Sequence, residues 1–485
     1  MRALRSLAVD RSGPPPPGDV HLFHFPDFVR RRLPSGVLAY AARLGGAPLL
    51  SLELLAPAGA QYDPAGRSGL ATLTASLLDE GAAGRNAMQI AGSIERLGGQ
   101  LGTSADWDVG YAGILVLSRH VEAALRLLAE VAASPSFPPA EVERLRRLRL
   151  AELMRRRHQP SVIADEELAA AIYQGTVYAG LPYGTEASIS ALGRDEILGF
   201  YRRRYRLPEL LLIAVGDREP EELLATAEAA LAAAAGAPEA AAASAPGSAD
   251  AGASPGPVAS ASAGAADERP RIEPPPLPGL RIHVVDRPGA AQTELRLGHA
   301  GVPFAHPDFT VLSFLNTVLG GKFTSRINLN LRERHGYTYG ATSRFSGRLG
   351  PGPFVVSAAV ATEASGNAAR EVLSELRRIQ DEPVETAEMD ETRSYMLGVF
   401  PYTVQGLGDV ARRLADLAVY GLPDDHYDRY LRTVASLSRA DVQAAARRHL
   451  HPDRLAIVAV GPAEVLRPQF EPLGEVIVSS AAEQA

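Results

Sequence analysis

The stretch of the sequence richest in chemical groups is NLNLRERHGYTYGATSRF, residues 328–345. Its pattern predicts a helix end, a left-handed residue at Gly336 and then a strand, which puts Arg332 in the last helical turns. Tyr339 would lie early in the strand. An arginine fork and a tyrosine hydroxyl that converge suit a peptide carbonyl, or the oxyanion that forms when it is attacked. Spacing alone favours a plainer interpretation, in which Arg332 pairs with Glu333 and Tyr339 is a half-buried strand residue.

A second stretch, SGLATLTASLLDEG at residues 68–81, predicts the start of an amphipathic helix. Its leucines at positions 70, 73, 77 and 78 recur at helical spacing and form one apolar stripe. Thr72, Ala75 and Ser76 lie between these leucines. All three are small and carry neither an imidazole nor a carboxylate.

The histidines form no ligand cluster in the sequence. His21 and His24 fall on opposite faces of an extended segment, and His449 and His451 have no third ligand near them in sequence. Neither H-E-x-x-H nor H-x-x-E-H occurs in the chain. We therefore expect ordinary surface or half-buried histidines at these positions.

Motifs for nucleophilic or phosphate chemistry are also missing. The chain contains no G-x-S-x-G, so a nucleophile-elbow hydrolase is unsupported. The stretch VLGGKFTS at 318–325 departs from a phosphate-binding loop at Asn316 and at Phe323. It predicts a glycine-rich turn after a helix.

Composition narrows the classes of function. The chain has 485 residues, of which 46% are hydrophobic and 22% charged, which predicts a globular protein of two to four domains. The net charge of −7 and the lack of a long basic run argue against nucleic acid or an anionic membrane surface as partner. With no cysteine, disulfides, thiolate metal sites and a cysteine nucleophile are excluded.

The first residues predict neither a secretory signal nor a membrane anchor. Their apolar run ends at Val9 and is followed by charged residues, which makes it too short for a signal peptide. The sequence contains no run of about 20 apolar residues, so no membrane span is predicted. The lack of a clear signal points to the cytoplasm, and the periplasm stays open if the true start precedes this sequence, so the sequence does not fix the compartment.

The chain contains an internal repeat. ISALGRDEI at Ile189 resembles VASLSRADV at Val434, and two apolar strands end at Gly216 and Gly461; both pairs are 245 positions apart. Residues 235–276 are dominated by Ala, Gly, Ser and Pro, and predict a flexible linker between the halves. The predicted organisation is a disordered segment, a first domain, the linker, a second domain and a tail, at 1–20, 21–234, 235–276, 277–465 and 466–485.

Each half follows the same order of elements. Two strands come first, then a helix, a strand region, a long helical run and a short apolar strand. The first two strands of each half are expected to form a hairpin, and hairpin-joined strands with grouped helices predict an α+β fold. We expect two homologous halves, each a mainly antiparallel sheet with helices on one face.

The whole chain resembles the pitrilysin/insulinase family of inverted zinc metallopeptidases, and most closely its processing-peptidase-like bacterial subgroup. The resemblance covers residues 23–462. It is carried by the repeat, the two closing strands and four motifs, GLATLTASLLDEG, IERLGGQLGTSADWDVGY, LPYGTEASISAL and VLGGKFTSRINLNLRERHGYTYGA.

The resemblance implies that the metal site of the first half is degenerate. In that family the first helix carries H-x-x-E-H, whose histidines bind zinc and whose glutamate is the general base. Here the histidine positions are Thr72 and Ser76, and the base position is Ala75. Glu152 matches the third-ligand position, and we interpret it as a remnant or as a surface, salt-bridged helix residue. Gly102 stands where the family's substrate-side strand usually has an asparagine, which also points away from self-sufficient catalysis. Because the ligand positions are lost, this chain is expected to bind no metal.

Unlike the metal helix of the first half, the second half keeps the residues that the family resemblance leads us to expect. Active members supply an arginine and a tyrosine there, which bind the substrate backbone near the scissile bond. Arg332 and Tyr339 match them in type, spacing and surrounding motif, which reverses the preference drawn from spacing alone. The resemblance implies the non-zinc subunit of a heteromeric zinc metallopeptidase that cleaves small or unfolded peptides. Zinc is then expected in a homologous partner that carries H-x-x-E-H.

Two other functions stay open. A catalytically silent structural or binding subunit of a larger assembly fits the degenerate helix equally well, but gives no reason to keep both Arg332 and Tyr339. A self-sufficient peptidase with a different metal site is disfavoured because the sequence shows no three-ligand cluster.

Overall fold

The computed structural model describes residues 22–235 and 270–480. The predicted disordered segment 1–20 lies outside the described residues, and so does most of the predicted linker. No helix of the described ranges is long and apolar enough to cross a membrane.

The first half contains eight described strands and eight described helices. The strands are β1 (Phe28–Arg32), β2 (Leu38–Arg43), β3 (Leu49–Ala56), β4 (Gly81–Ala82), β5 (Arg85–Asn86), β6 (Gln100–Ala105), β7 (Gly110–Leu117) and β8 (Leu211–Gly216). The helices are α1 (Leu70–Ser76), α2 (Ala87–Arg96), α3 (Val121–Ala133), α4 (Pro139–Arg156), α5 (Pro160–Ile172), α6 (Glu186–Ala191), α7 (Arg194–Arg204) and α8 (Pro220–Ala235).

The second half repeats this plan. Its strands are β9 (Arg281–Asp286), β10 (Gln292–Ala300), β11 (Thr338–Phe345), β12 (Pro353–Ala361), β13 (Ala456–Gly461) and β14 (Val476–Ser480). Its helices are α9 (Phe309–Asn316), α10 (Arg326–Asn328), α11 (Ser365–Asp381), α12 (Thr386–Val399), α13 (Leu407–Tyr420), α14 (His426–Ser436), α15 (Arg439–His449) and α16 (Ala463–Phe470). Two π-helical turns, Thr317–Gly321 and Leu329–Arg334, continue α9 and α10.

The predicted α+β class is confirmed, with a six-stranded, mainly antiparallel sheet in each half. The first sheet has the order β1-β2-β8-β3-β7-β6, and only β2 and β8 are parallel. The predicted hairpin of the two strands now numbered β2 and β3 is therefore wrong, and β2 pairs instead with β1 and β8. Strand β8 lies between β2 and β3 because its residues are buried on both faces, which suits a central strand.

The second sheet has the order β11-β12-β10-β13-β9-β14. Strand β13 again lies between the two opening strands, parallel to β9 and antiparallel to β10. The C-terminal segment from residue 466, predicted as a tail, instead continues α16 and adds β14, which pairs in parallel with β9. The run EVIVSS supplies a short β-branched strand at the sheet edge, a signal that the sequence analysis passed over.

Each half packs one of its helices against the sheet of the other half, an arrangement that we call the helix exchange. Helices of the same half cover one face of each sheet, as predicted, with α3 and α8 on the first sheet. The opposite face of the first sheet receives α13 of the second half, and the opposite face of the second sheet receives α5 of the first half. Helices α5 and α13 occupy equivalent places in the repeat, so the exchange is reciprocal.

The boundary between the halves is closely packed where the structure describes it. Helix α8 ends at Ala235, the first residue of the predicted linker. On the other side, Ile272 is buried in the same apolar cluster as Ile163 and Leu168 of α5. Residues 270–276, assigned to the linker from their composition, are thus attached to the first half through a buried side chain.

Candidate functional site

Helix α1 carries the three positions at which the family resemblance implies lost zinc ligands. Thr72 is buried, and its hydroxyl donates to the carbonyl oxygens of Gly69 and Pro182, at 3.1 and 2.9 Å. The Ser76 hydroxyl donates to the carbonyl oxygen of Thr72 at 2.9 Å, and Ala75 is fully buried. A catalytic zinc needs about three nitrogen, oxygen or sulfur ligands from the protein. The residues at this site do not fit zinc.

Glu152 is nevertheless close to α1. Glu152 on α4 and Ser76 on α1 line one open cavity of about 500 Å³. The Glu152 carboxylate accepts a hydrogen bond from Arg155 at 2.7 Å, and this bond holds the pKa of the carboxyl below its usual range. The structure therefore brings together the first-helix and third-ligand positions, and Glu152 is a salt-bridged surface residue.

Strand β6 is the edge strand next to α1. Within the described ranges, its outer side pairs with no other strand, and its side chains alternate between exposed and half-buried. A Cβ atom added at Gly102 would meet no atom within 4 Å, so the space for a larger residue is present. An unpaired edge of this kind can add an extended peptide as a further strand.

In the second half, Arg332 and Tyr339 lie on either side of one turn. Arg332 belongs to the π-helical turn Leu329–Arg334, and Tyr339 to β11. Gly336 between them has a φ of +66°, as the sequence predicted for a left-handed residue. The Tyr337 amide donates to the carbonyl oxygen of Leu331 at 2.8 Å and closes the turn. Short π-helical segments of this kind are frequent at functional sites.

Several polar contacts fix these elements against each other. The Asn328 side chain accepts a hydrogen bond from the Ala341 amide at 2.9 Å, which ties α10 to β11. Arg326 makes a two-fold hydrogen bond to Glu388, at 2.9 and 2.6 Å, and is itself buried. A Cβ atom at Gly320 would lie 2.3 Å from the hydroxyl of Ser343, so this turn can approach β11 only because the residue is glycine.

The guanidinium of Arg332 is held but incompletely paired. It lies 4.4 Å from the ring centroid of Phe323, and its Nη1 atom lies 3.2 Å from a carboxylate oxygen of Glu333. That atom is buried and makes no hydrogen bond of acceptable geometry within the described ranges. The ion pair that spacing alone suggested is therefore present as a contact, but leaves a buried donor without an acceptor. Such a donor is costly unless a ligand completes it.

Tyr339 points away from the protein. The residue is 92% exposed, so the half-buried position that spacing alone suggested is wrong. The pairing of β11 with β12 is irregular between Thr338 and Ala341, which makes a bulge at Tyr339 and Gly340. Bulges re-aim side chains and are common beside active sites. The tyrosine hydroxyl is thus free to contact a ligand.

One group of potential metal ligands was missed by sequence reasoning. Among the described residues, His306, Asp308 and His449 bring three ligand atoms within 4.8 Å of one another. His449 pairs with Asp308 at 2.7 Å rather than acting with His451, whose ring centroid lies 4.9 Å from that of His299. Asp308 also accepts from Arg448, and these partners hold its pKa below the usual range. The group needs residues 141 positions apart, so no local motif could have revealed it.

Fold and site together define a metallopeptidase-like chain of two repeated halves, with a metal helix that has no ligands. The chain belongs to the insulinase family, peptidase family M16. The family pattern described as "Insulinase (Peptidase family M16)" matches residues 46–185, and that described as "Peptidase M16 inactive domain" matches residues 191–396.

Relatives and solved structures agree with this membership. An uncharacterized zinc protease of Streptomyces coelicolor is 22% identical over 435 residues, which is 89% of each chain. A crystal structure described as a peptidase M16 inactive domain, from Pseudomonas fluorescens, has a TM-score of 0.78 and 26% identity, and covers 90% of this chain and 98% of its own. A protease from Helicobacter pylori has the same fold, with a TM-score of 0.77, 19% identity, and coverage of 90% of this chain and all of its own.

Proposed function

We propose that this protein is the non-zinc subunit of a two-chain zinc metallopeptidase that cleaves small or unfolded peptides. A homologous partner with an intact H-x-x-E-H would hold the zinc and activate water. Arg332 and Tyr339 would bind the backbone carbonyl of the substrate and the oxyanion formed from it. The observation that carries the proposal is the buried Nη1 donor of Arg332, which contacts Glu333 but makes no hydrogen bond with the described residues, and which is fixed one turn away from the exposed Tyr339.

Three further features support this function. At the two α1 positions that bind zinc in active members, the hydroxyls of Thr72 and Ser76 donate to backbone carbonyl oxygens. These residues therefore supply no zinc ligands at that site. The edge strand β6 can accept an extended peptide through backbone hydrogen bonds, which reads sequence loosely. The descriptions of similar proteins, as a zinc protease and as a peptidase M16 inactive domain, fit a chain related to peptidases but lacking their metal site.

The test is reconstitution with a homologous chain that carries H-x-x-E-H, beginning with one encoded beside this protein. Each chain alone and their mixture are incubated with a quenched fluorescent unfolded peptide. We expect rapid cleavage only by the mixture, abolished by a metal chelator and restored by zinc. Co-elution of the two chains on size exclusion would accompany activity.

Two results would reject the proposal. Chelator-sensitive cleavage by this chain alone would mean that it binds its own catalytic metal. A stable complex of the two chains that cleaves no faster than the partner alone would instead favour the structural or binding subunit, the function kept open above.

A further inference from the structure

The arginines of helix α4 divide into two groups. Four of the six have a carboxylate partner on the same helix or on a neighbouring segment, namely Arg144, Arg146, Arg147 and Arg155. Arg149 and Arg156 have no hydrogen bond or ion pair with any described residue. The charge of Glu152 acts on both arginines and that of Glu166 on Arg156, but neither carboxylate lies within ion-pair distance, so both guanidinium groups keep donors for a ligand.

The two unpaired arginines lie on one side of the helix. They are seven positions apart, which is two turns, so they extend from the same face. Both guanidinium groups approach the ring of Tyr183, Arg149 at 5.3 Å and Arg156 at 4.8 Å from its centroid. Burial lowers the pKa of Arg149, which indicates a partly desolvated charge. One aromatic ring therefore holds two like charges close together.

The ring itself is fixed against the degenerate metal helix. The carbonyl oxygen of Pro182, the residue before Tyr183, accepts the hydroxyl of Thr72 on α1. A Cβ atom at Gly69 would lie 2.9 Å from the carbonyl oxygen of Tyr183, so loop and helix are in tight contact. The threonine at the lost ligand position thus positions the aromatic ring that gathers the arginines.

Both arginines face the cavity described above. Its lining consists of Leu73, Ser76, Leu145, Leu148, Arg149, Glu152, Arg156 and Tyr183. The only carboxylate of this lining, Glu152, is hydrogen-bonded by Arg155, and its charge also acts on Arg149 and Arg156, so two arginines face one carboxylate. The cavity is therefore positive on balance, with an apolar wall, and it lies where the family resemblance would put a zinc ion.

We propose that this cavity is a carboxylate-binding site, in which Arg149 and Arg156 hold an acidic group of a bound peptide. Guanidinium forks match the two oxygens of a carboxylate, and a partly desolvated setting strengthens such pairs. We take the ligand to be a peptide because of the proposed function, and this part of the proposal rests on it. The carboxylate comes from an acidic side chain or from the peptide C-terminus, two sources with the same chemistry.

Binding to the purified full chain alone tests this site, by fluorescence anisotropy with four labelled peptides of equal length. They differ only in an internal Glu or Gln and in a C-terminal carboxylate or carboxamide. We expect at least one acidic form to bind about 10-fold or more tightly than the peptide that lacks both carboxylates. The form that gains affinity identifies the source of the carboxylate. Added salt should reduce the preference.

Substitutions test whether Arg149 and Arg156 cause the preference for peptides that carry a carboxylate. The double variant Arg149→Met/Arg156→Met should lose it, while Arg146→Met/Arg147→Met, which removes two arginines of the same helix that pair with Glu143 outside the cavity lining, should keep it. Glu152→Gln, which removes the one negative charge of the cavity, should tighten binding of the acidic form. Circular dichroism and thermal melting check that each variant is folded.

The proposal is overturned if the four peptides bind the wild-type chain alike, a comparison that needs no variant. It is also overturned if the preference survives in the Arg149/Arg156 variant. The outcome is independent of proteolysis: a carboxylate preference without cleavage in the two-chain mixture would reject the proposed function only. Cleavage by the mixture without a carboxylate preference would reject this site only.

Discussion

At the scale of the residue, Arg332 is the side chain whose loss should separate catalysis from stability. Its contacts are the Phe323 ring and Glu333, so removal should cost little folding free energy. Arg332→Ala should lower kcat/KM of the reconstituted two-chain peptidase by about 100-fold, because one oxyanion donor is lost. Steady-state kinetics measure the effect.

The matched control for this substitution is Arg334→Ala, an exposed arginine of the same π-helical turn. It should leave both kinetics and melting temperature unchanged. Equal activity of Arg332→Ala and Arg334→Ala would remove Arg332 from the site. A large fall in melting temperature for Arg332→Ala would show that the residue serves the fold.

The zinc content of the purified chain also depends on individual side chains, because each metal ligand is a single residue. The α1 positions offer no ligand, and in the described group of His306, Asp308 and His449 the carboxylate is already paired with Arg448 and His449. We expect the purified chain, analysed by atomic emission after dialysis against zinc-free buffer, to hold well under one zinc ion.

A full equivalent of zinc would contradict this expectation. The variant His449→Ala would then locate the metal. Loss of zinc in the variant would place it at the group in the second half, and retention would place it elsewhere.

At the scale of the element, the reciprocal exchange of α5 and α13 predicts that the halves stay together when the chain between them is cut. Each helix covers a sheet of the other half, with Ile163 and Leu168 of α5 buried against the second sheet. We expect a chain with a protease site inserted near residue 250 to co-elute as one species after cleavage, with an unchanged circular dichroism spectrum.

A control variant weakens the exchange itself. Leu168→Asp places a charge in the buried contact between α5 and the second sheet, which should allow the cut halves to separate or unfold. Separation of the cut wild-type chain into two folded pieces would show that the exchange contributes little to cohesion.

The elements show what the sequence could and could not predict. Local signals placed the turn at Gly336 and the strand after it, because glycine conformation and strand alternation are properties of neighbouring residues. The insertion of β8 between β2 and β3 and the exchange of α5 with α13 depend on contacts between distant segments. Such contacts leave no periodicity in the sequence. Arg149 and Arg156 escaped notice for the same reason, since what distinguishes them is a shared contact with Tyr183 and no carboxylate within ion-pair distance among the described residues.

At the scale of the whole molecule, the exchange of helices buries carboxyl groups between the halves. A cavity of about 720 Å³ lies between the first sheet and α13, and Glu53, Asp108 and Asp416 line it. Burial raises the pKa of Glu53 to about 7, and those of Asp108 and Asp416 to about 6. Asp108 also accepts hydrogen bonds from the second half, from the Leu349 amide and the Tyr420 hydroxyl.

Raised carboxyl pKa values make the folded protein less stable as pH rises. Between the ordinary pKa of a carboxyl and its raised value, the folded state binds a proton that the unfolded state has lost, so stability falls with increasing pH through that window. Buried histidines act in the opposite direction below about pH 6.5, since burial lowers the pKa of His299 to about 4. The net curve mixes both effects, and a single substitution is needed to isolate one of them.

Glu53→Gln isolates the carboxyl contribution. Glutamine keeps an acceptor for the Ser51 hydroxyl, which contacts Glu53 at 3.3 Å, and removes the charge. At pH 8, where the wild-type carboxyl is ionised, the variant should be more stable by about 1–3 kcal/mol, because no buried charge remains. At pH 5 the wild-type carboxyl is protonated, so the two proteins should have similar melting temperatures. Thermal melts of both at several pH values measure the difference, with the exposed Asp453→Asn as control. A difference that does not grow between pH 5 and pH 8 would mean that Glu53 is not a buried, titrating group at the junction of the halves.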